Sequence, residues 1–163
     1  MRHGPAEDRA PSGRDFDRAL TAPGRDRVRD VARALVDADE LPLHVVSSPL
    51  VRALQTAEIV AGFAKVPIDV EVRRELAPDG DIVGRVALVR ERVASGAKRV
   101  MLVGHEPDLT ELAARLAGRP FASGFQKAMV VGLATPKERD PEGPLRLRFV
   151  LDPKSLEWLE DAR

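Results

Sequence analysis

The strongest constraint on how this chain folds is an alternation of two patterns. Short apolar runs with β-branched residues are followed by stretches whose apolar residues recur at helical spacing. Leu43 to Val46 leads into a stripe of Leu50, Leu54 and Ala57, widened by Ile59, Val60 and Phe63. Pro67 to Val72 leads, through the acidic turn Glu75-Leu76-Ala77-Pro78-Asp79-Gly80-Asp81, into Ile82, Val86, Val89 and Val93, and Ser95-Gly96 closes that helix. Lys98 to Val103 leads into Leu109, Leu112, Ala113 and Leu116, with Gly118 as the stop. Ahead of all three, Val28, Val31, Ala32 and Leu35 form the inner face of an amphipathic helix whose outer face carries Arg25, Asp26, Arg29, Asp30 and Arg33. Strands that read as continuous apolar runs are covered on both faces, and strands joined by helices come out parallel. The expectation is one α/β domain over residues 1–163, a three-layer α/β/α fold with a mostly parallel central sheet.

The other segments are less regular. Pro5 to Pro23 is polar and broken by Pro and Gly, so it reads as a surface loop with solvated charges at Glu7, Asp8, Arg9, Arg14, Asp15, Asp17 and Arg18. Met129 to Leu133 and Leu147 to Leu151 read as late strands joined by a polar surface loop from Pro136 to Pro144. Asp152-Pro153 has the cap-plus-proline form of a last short helix, against which Trp158 packs.

Charge and composition exclude several functions. The 26 basic and 26 acidic residues cancel, which removes the footprint of a nucleic-acid or anionic-membrane binder. With no cysteine there is no disulfide, thiolate nucleophile or thiolate metal site. No apolar run approaches a membrane span and no signal peptide is visible, so a cytoplasmic location is expected.

Ligands of open α/β sheets bind beyond the carboxyl ends of the strands. Residues suited to phosphate chemistry gather at such ends. Arg2-His3-Gly4 opens the chain, and Ser47-Ser48-Pro49 follows the first apolar run, with Ser48 as the expected helix cap and Arg52 in the opening turn. Val103-Gly104-His105-Glu106 follows the third run. A histidine nitrogen can attack phosphorus, and arginines hold a phosphoryl group through paired hydrogen bonds. His3 is therefore the candidate nucleophile, Arg2 and Arg52 the clamp, and His105 a donor to the same oxygens. Gly4 turns the backbone and leaves room for substrate, while the amides at the two helix starts add to the anion site. His44, inside an apolar run, reads as a packed or edge histidine, and Lys127 as a solvated lysine near the rim. A metalloprotease-type zinc pair would need a histidine where Leu109 stands, and no Gly-rich nucleotide loop occurs.

Arg2-His3-Gly4, the stretch Ser47 to Ala57 and Val103-Gly104-His105 resemble the histidine phosphatase (phosphoglycerate mutase-like) superfamily. The Glu75 to Asp81 segment, the short length and the absence of an inserted cap resemble its SixA-type phosphohistidine phosphatases. The resemblance implies phosphorylation at His3, a pocket of Arg2, Arg52 and His105 with Gly4 and Glu106 beside it, and no metal or other cofactor. It places Glu75 as the candidate general acid, with Asp79 and Asp81 behind it. It also implies an apolar strand leading into Arg2, of which only Met1 is present, so a natural start upstream is expected. A free α-amino group on Met1, two residues from His3, would titrate near ~8. The expected activity is a metal-independent phosphatase working through a phosphohistidine intermediate on protein phosphohistidine, with an uncapped pocket. The alternatives are a broad small-molecule phosphomonoesterase acting on phosphorylated metabolites, or a phosphate-binding regulator without turnover.

Overall fold

His44–Ser47 forms β1, the middle strand of a parallel three-stranded sheet, in a computed structural model that describes residues 1–121, 123–135 and 143–159. Val70–Val72 (β2) and Val100–Val103 (β3) flank it on either side. Side chains alternate across a strand, and the two faces are packed differently. Val45 of β1 and Met101 and Val103 of β3 join Val28, Val31, Leu35, Ala57 and Val60 in the main core. Those residues come from α1 (Ala22–Asp37) and α2 (Val51–Ala61). Val46, Val100 and Leu102 face the other way, against Leu88 and Leu112 of α3 (Ile82–Ala94) and α4 (Asp108–Ala117). Helices thus cover both faces, the layered arrangement the alternation implies. Burying each such Val or Leu contributes about 1.5–3 kcal/mol, which outweighs the modest β propensity of strands this short.

The helix ends follow their local chemistry. The Thr21 hydroxyl accepts from the Gly24 amide and Asp81 does the same for Gly84, while Gly118 closes α4 at φ 65°. α1 begins at Ala22, because Thr21 caps it and Pro23 fits its first turn, so the preceding loop is shorter than the Pro-Gly pattern suggests.

A second sheet is antiparallel: Val130–Ala134 (β4), Arg146–Leu151 (β5) and Trp158–Leu159 (β6). The helix expected after Asp152 does not form. The Asp152 carboxylate does accept from the Lys154 and Ser155 amides, but Leu156 adopts φ 59° and turns the chain back. Trp158 then pairs with Leu151 and meets the Phe149 ring edge-on, 4.8 Å between centroids. The loop expected over Pro136 to Pro144 lies, at residues 136–142, outside the described residues.

The first three residues join the two sheets. The His3 amide donates to the Gly104 carbonyl and the Gly104 amide to the Met1 carbonyl, a parallel continuation of β3. On the opposite side, the Arg2 amide donates to Met129 and the Ala128 amide to Arg2 and His3. The Met1 amine is buried against the Leu102 carbonyl, and desolvation pushes it down to about 5 rather than the ordinary terminal value.

Candidate active site

The carboxyl ends of β1 and β3 and the chain start converge, and they bring His3, Arg52 and His105 together, each buried to within 5 % exposure. The two imidazoles lie 5.2 Å apart between centroids. Arg52 is the second residue of α2, directly after the β1 turn, and its Nε donates to His3 Nε2 at 3.3 Å. Arg2 is partly buried beside them, with Nη1 donating to the Phe125 carbonyl at 2.7 Å and Nε buried without a partner among the described residues.

These contacts settle the tautomer of His3. Its Nδ1 lies 2.7 Å from the Gly4 carbonyl, which can only accept, so Nδ1 carries the proton. Nε2 faces a guanidinium N–H, which can only donate, so Nε2 keeps its lone pair. Desolvation, reinforced by the charges of Arg52, Arg2 and Lys127, pushes the ring down to about 4 against the opposing Gly4 bond. His3 is therefore a neutral imidazole at pH 7 with one nitrogen free to attack. Burial and then the His3 and Arg52 charges lower His105 further, to about 3. His105 Nε2 pairs with the Ser48 hydroxyl at 2.8 Å, and its Nδ1 is buried without a partner among the described residues.

Other expected contributors are placed elsewhere. Gly4 follows His3, and a Cβ there would meet Val28 Cγ2 at 2.6 Å, so its smallness serves packing on α1. Its amide donates to Thr56 Oγ1, whose hydroxyl bonds the Arg52 carbonyl, which ties the His3 turn to α2. Leu50, not Ser48, holds the cap position of α2; the Ser48 hydroxyl meets His105 and also accepts from the Leu50 amide at 3.4 Å. Glu106 is spent on α4, accepting from the Thr110 amide at 3.2 Å and hydroxyl at 2.6 Å, so that helix start offers less to an anion than its position suggests.

The Glu75 carboxylate accepts two hydrogen bonds from Arg73, which hold it below the usual carboxylate range, and no hydrogen bond links it to His3, Arg2, Arg52 or His105 among the described residues. The carboxylate that meets a candidate pocket residue is Asp15, which accepts from Arg52 Nη2 at 3.0 Å and lies on a 3₁₀ turn (Asp15–Asp17) of the loop read as solvated. Loop residues 6 and 20 pair across an antiparallel bridge, Leu20 donates to Gln55 of α2 and Asp15 meets Arg52, so the loop packs against α2 instead of standing free in solvent. Nothing in the run of charges from Glu7 to Arg18 marks Asp15 out. His44 is an exposed residue at the start of β1, and no cluster of three metal-ligating side chains occurs among the described residues. No helix among them is long and apolar enough to cross a membrane.

Comparison with known proteins agrees with this geometry. A profile of the histidine phosphatase superfamily (branch 1) matches residues 1–77. An uncharacterised protein of Picosynechococcus sp. is 38% identical over 82% of this chain and 81% of its own. Phosphohistidine phosphatase SixA of Escherichia coli is 35% identical over 71% of each chain. A structure of the protein histidine phosphatase SixA complexed with tungstate superposes with a TM-score of 0.86 at 29% identity, over 96% of this chain and 97% of that one. The alternating strands and helices, the paired imidazoles and these likenesses point one way: the chain belongs to the histidine phosphatase superfamily.

Proposed function

We propose that this phosphatase removes phosphoryl groups from protein phosphohistidine, through an intermediate on His3 and without a metal ion. The observation that carries the reading is the state of His3, neutral, with Nδ1–H fixed on the Gly4 carbonyl and the Nε2 lone pair facing a guanidinium. In the first step that lone pair forms the N–P bond while the bond from phosphorus to the substrate nitrogen breaks and its electrons return to the substrate imidazole. Water then attacks phosphorus, the N–P bond to His3 breaks, and phosphate leaves with His3 again neutral. Arg2 and Arg52 balance the phosphoryl charge through both steps, the role a metal would otherwise fill. The buried Nδ1 of His105 supplies a hydrogen bond to the same oxygens, and a bound dianion favours its protonation.

Glu75 is held ionised by Arg73 and bonds to none of His3, Arg2, Arg52 and His105 among the described residues, which favours a leaving group that departs with little proton transfer. An imidazole meets that demand better than an alkoxide. The burial of His3, Arg52 and His105, each 4–5% exposed, suits a phosphoryl group carried at the tip of a side chain.

The test is rapid mixing with a ³²P-phosphohistidine protein, quenched under alkaline conditions that preserve phosphohistidine. The wild type should show a labelled enzyme that decays to phosphate, and His3→Ala should show neither label nor turnover. Label retained in His3→Ala, or faster turnover of sugar phosphates than of the phosphoprotein, contradicts the assignment. Phosphate binding with no turnover of either substrate marks the chain as a regulator.

A further inference from the structure

Arg52 presents two different edges to its neighbours. Along one edge its Nε lies 3.3 Å from His3 Nε2, and covalent geometry puts an Nη2 hydrogen on that same edge. The far end is taken by a single residue, since Nη1 donates to the Asp15 carbonyl at 2.8 Å and Nη2 to the Asp15 carboxylate at 3.0 Å. The pair is lopsided: the arginine side chain is 5% exposed and the aspartate 63%. Asp15 is itself strapped down. Its other oxygen pairs with Arg18 Nε at 2.9 Å, and Arg18 Nη1 donates to the Glu7 carbonyl. Asp17 closes the same turn through Ser12 and Arg14.

We propose that Asp15 is a positioning residue for phosphoryl transfer, which grips the far end of Arg52 and thereby aims its Nε–Nη2 edge as a two-pronged clamp on the phosphoryl group beside His3. The inference rests on the phosphatase reading above. Arginine is a long side chain whose rotamer freedom must be removed before a bidentate contact gains anything. A carboxylate on the far end removes that freedom and offsets the cost of burying the charge, while leaving the inward edge, whose Nε meets the His3 lone pair, turned towards the phosphoryl site. Were Asp15 a competitor for phosphate, it would sit on the Nε edge. Partial burial opposes ionisation of Asp15, but the Arg52 bond and the Arg52 and Arg18 charges outweigh it and hold the carboxyl below its usual range, so the grip persists at neutral pH.

The test compares wild type, Asp15→Ala, Asp15→Asn and Asp17→Ala in hydrolysis of p-nitrophenyl phosphate, a substrate that avoids any commitment to phosphohistidine, with thermal melts alongside. Among the described residues the Asp17 carboxylate bonds to Ser12 and Arg14, so its removal loosens the turn without touching Arg52. Asp15→Ala should lower kcat by about 10- to 100-fold, the cost of a misaimed contact in the transition state, with KM within about threefold. Asp15→Asn should fall between it and wild type, and Asp17→Ala should stay within about threefold of wild type. Asp15→Ala should also lower the melting temperature, because the buried Arg52 charge loses its partner, while all variants stay folded at the assay temperature. Wild-type kcat in Asp15→Ala, a gain of activity there, or equal losses in Asp15→Ala and Asp17→Ala would each overturn the proposal. Absence of turnover in the wild type would instead sink the phosphatase reading, and this inference with it.

Discussion

Acid should weaken this fold well above the range in which its carboxylates titrate, because two neutral imidazoles are locked in its interior. Unfolded histidines titrate near 6.5, whereas His3 and His105 in the native chain are lowered to about 4 and about 3. Between those values the unfolded chain binds more protons than the folded one. The stabilisation is therefore complete above about pH 6.5, is lost progressively as pH falls, and stops changing only below the folded values. From about pH 7.5 to about pH 5 the loss is about 2 kcal/mol for each imidazole, or about 4 kcal/mol for the pair. For a chain of this size that corresponds to roughly 8–16 °C in melting temperature. The assay is urea or thermal unfolding at both pH values for wild type and His3→Gln/His105→Gln. The buried Met1 amine titrates in the same window and is common to both proteins, so the difference in pH slope isolates the imidazoles. Equal slopes would refute the reasoning, whatever the absolute stabilities.

Arg52→Lys should lower kcat/KM by about 100-fold or more on any substrate, since an ammonium cannot reproduce a planar two-pronged contact; steady-state kinetics decide it. Arg85→Met should cost about 3–5 kcal/mol in urea unfolding. Arg85 is 3% exposed, pairs with Asp108 at 2.9 Å and donates to the Glu75 and Ala77 carbonyls, all of which lose their partner. Gly4→Ala should destabilise by about 1–3 kcal/mol through the 2.6 Å approach to Val28, and Val28→Ala should recover part of that loss in a double-mutant cycle. Glu75→Gln should leave kcat on phosphohistidine within about threefold, because its carboxylate is committed to Arg73; a larger loss would restore it as the acid.

The layered core was readable because its signals are local. Val45, Val46, Met101 and Val103 sit in runs that can only be buried strands, and the helical stripes from Val28 and Leu109 name their own inner faces. Three site residues were readable for the same reason, since His3, Arg52 and His105 lie where strands end. What escaped depends on contacts between distant residues. Asp15 looks like any of its charged neighbours until the loop folds against α2, 37 positions away. The Ser48 hydroxyl could equally cap a helix or meet an imidazole, and only the approach of β3 decides. Glu75 carried a usable warning, an arginine two residues before it. The C-terminal turn resembled a helix start because Asp152 does form the cap bonds, with no helix behind them.

The place of His3 between the two sheets has a consequence for how activity is acquired. Its main chain is bonded to Gly104 on one side and to Ala128 on the other. A chain in which only the parallel half has formed lacks the second set of bonds and leaves His3 unanchored. On the proposed mechanism, covalent capture of a phosphoryl group is thus a readout of final assembly: labelling should appear during refolding only when both halves have docked, not when helix content recovers.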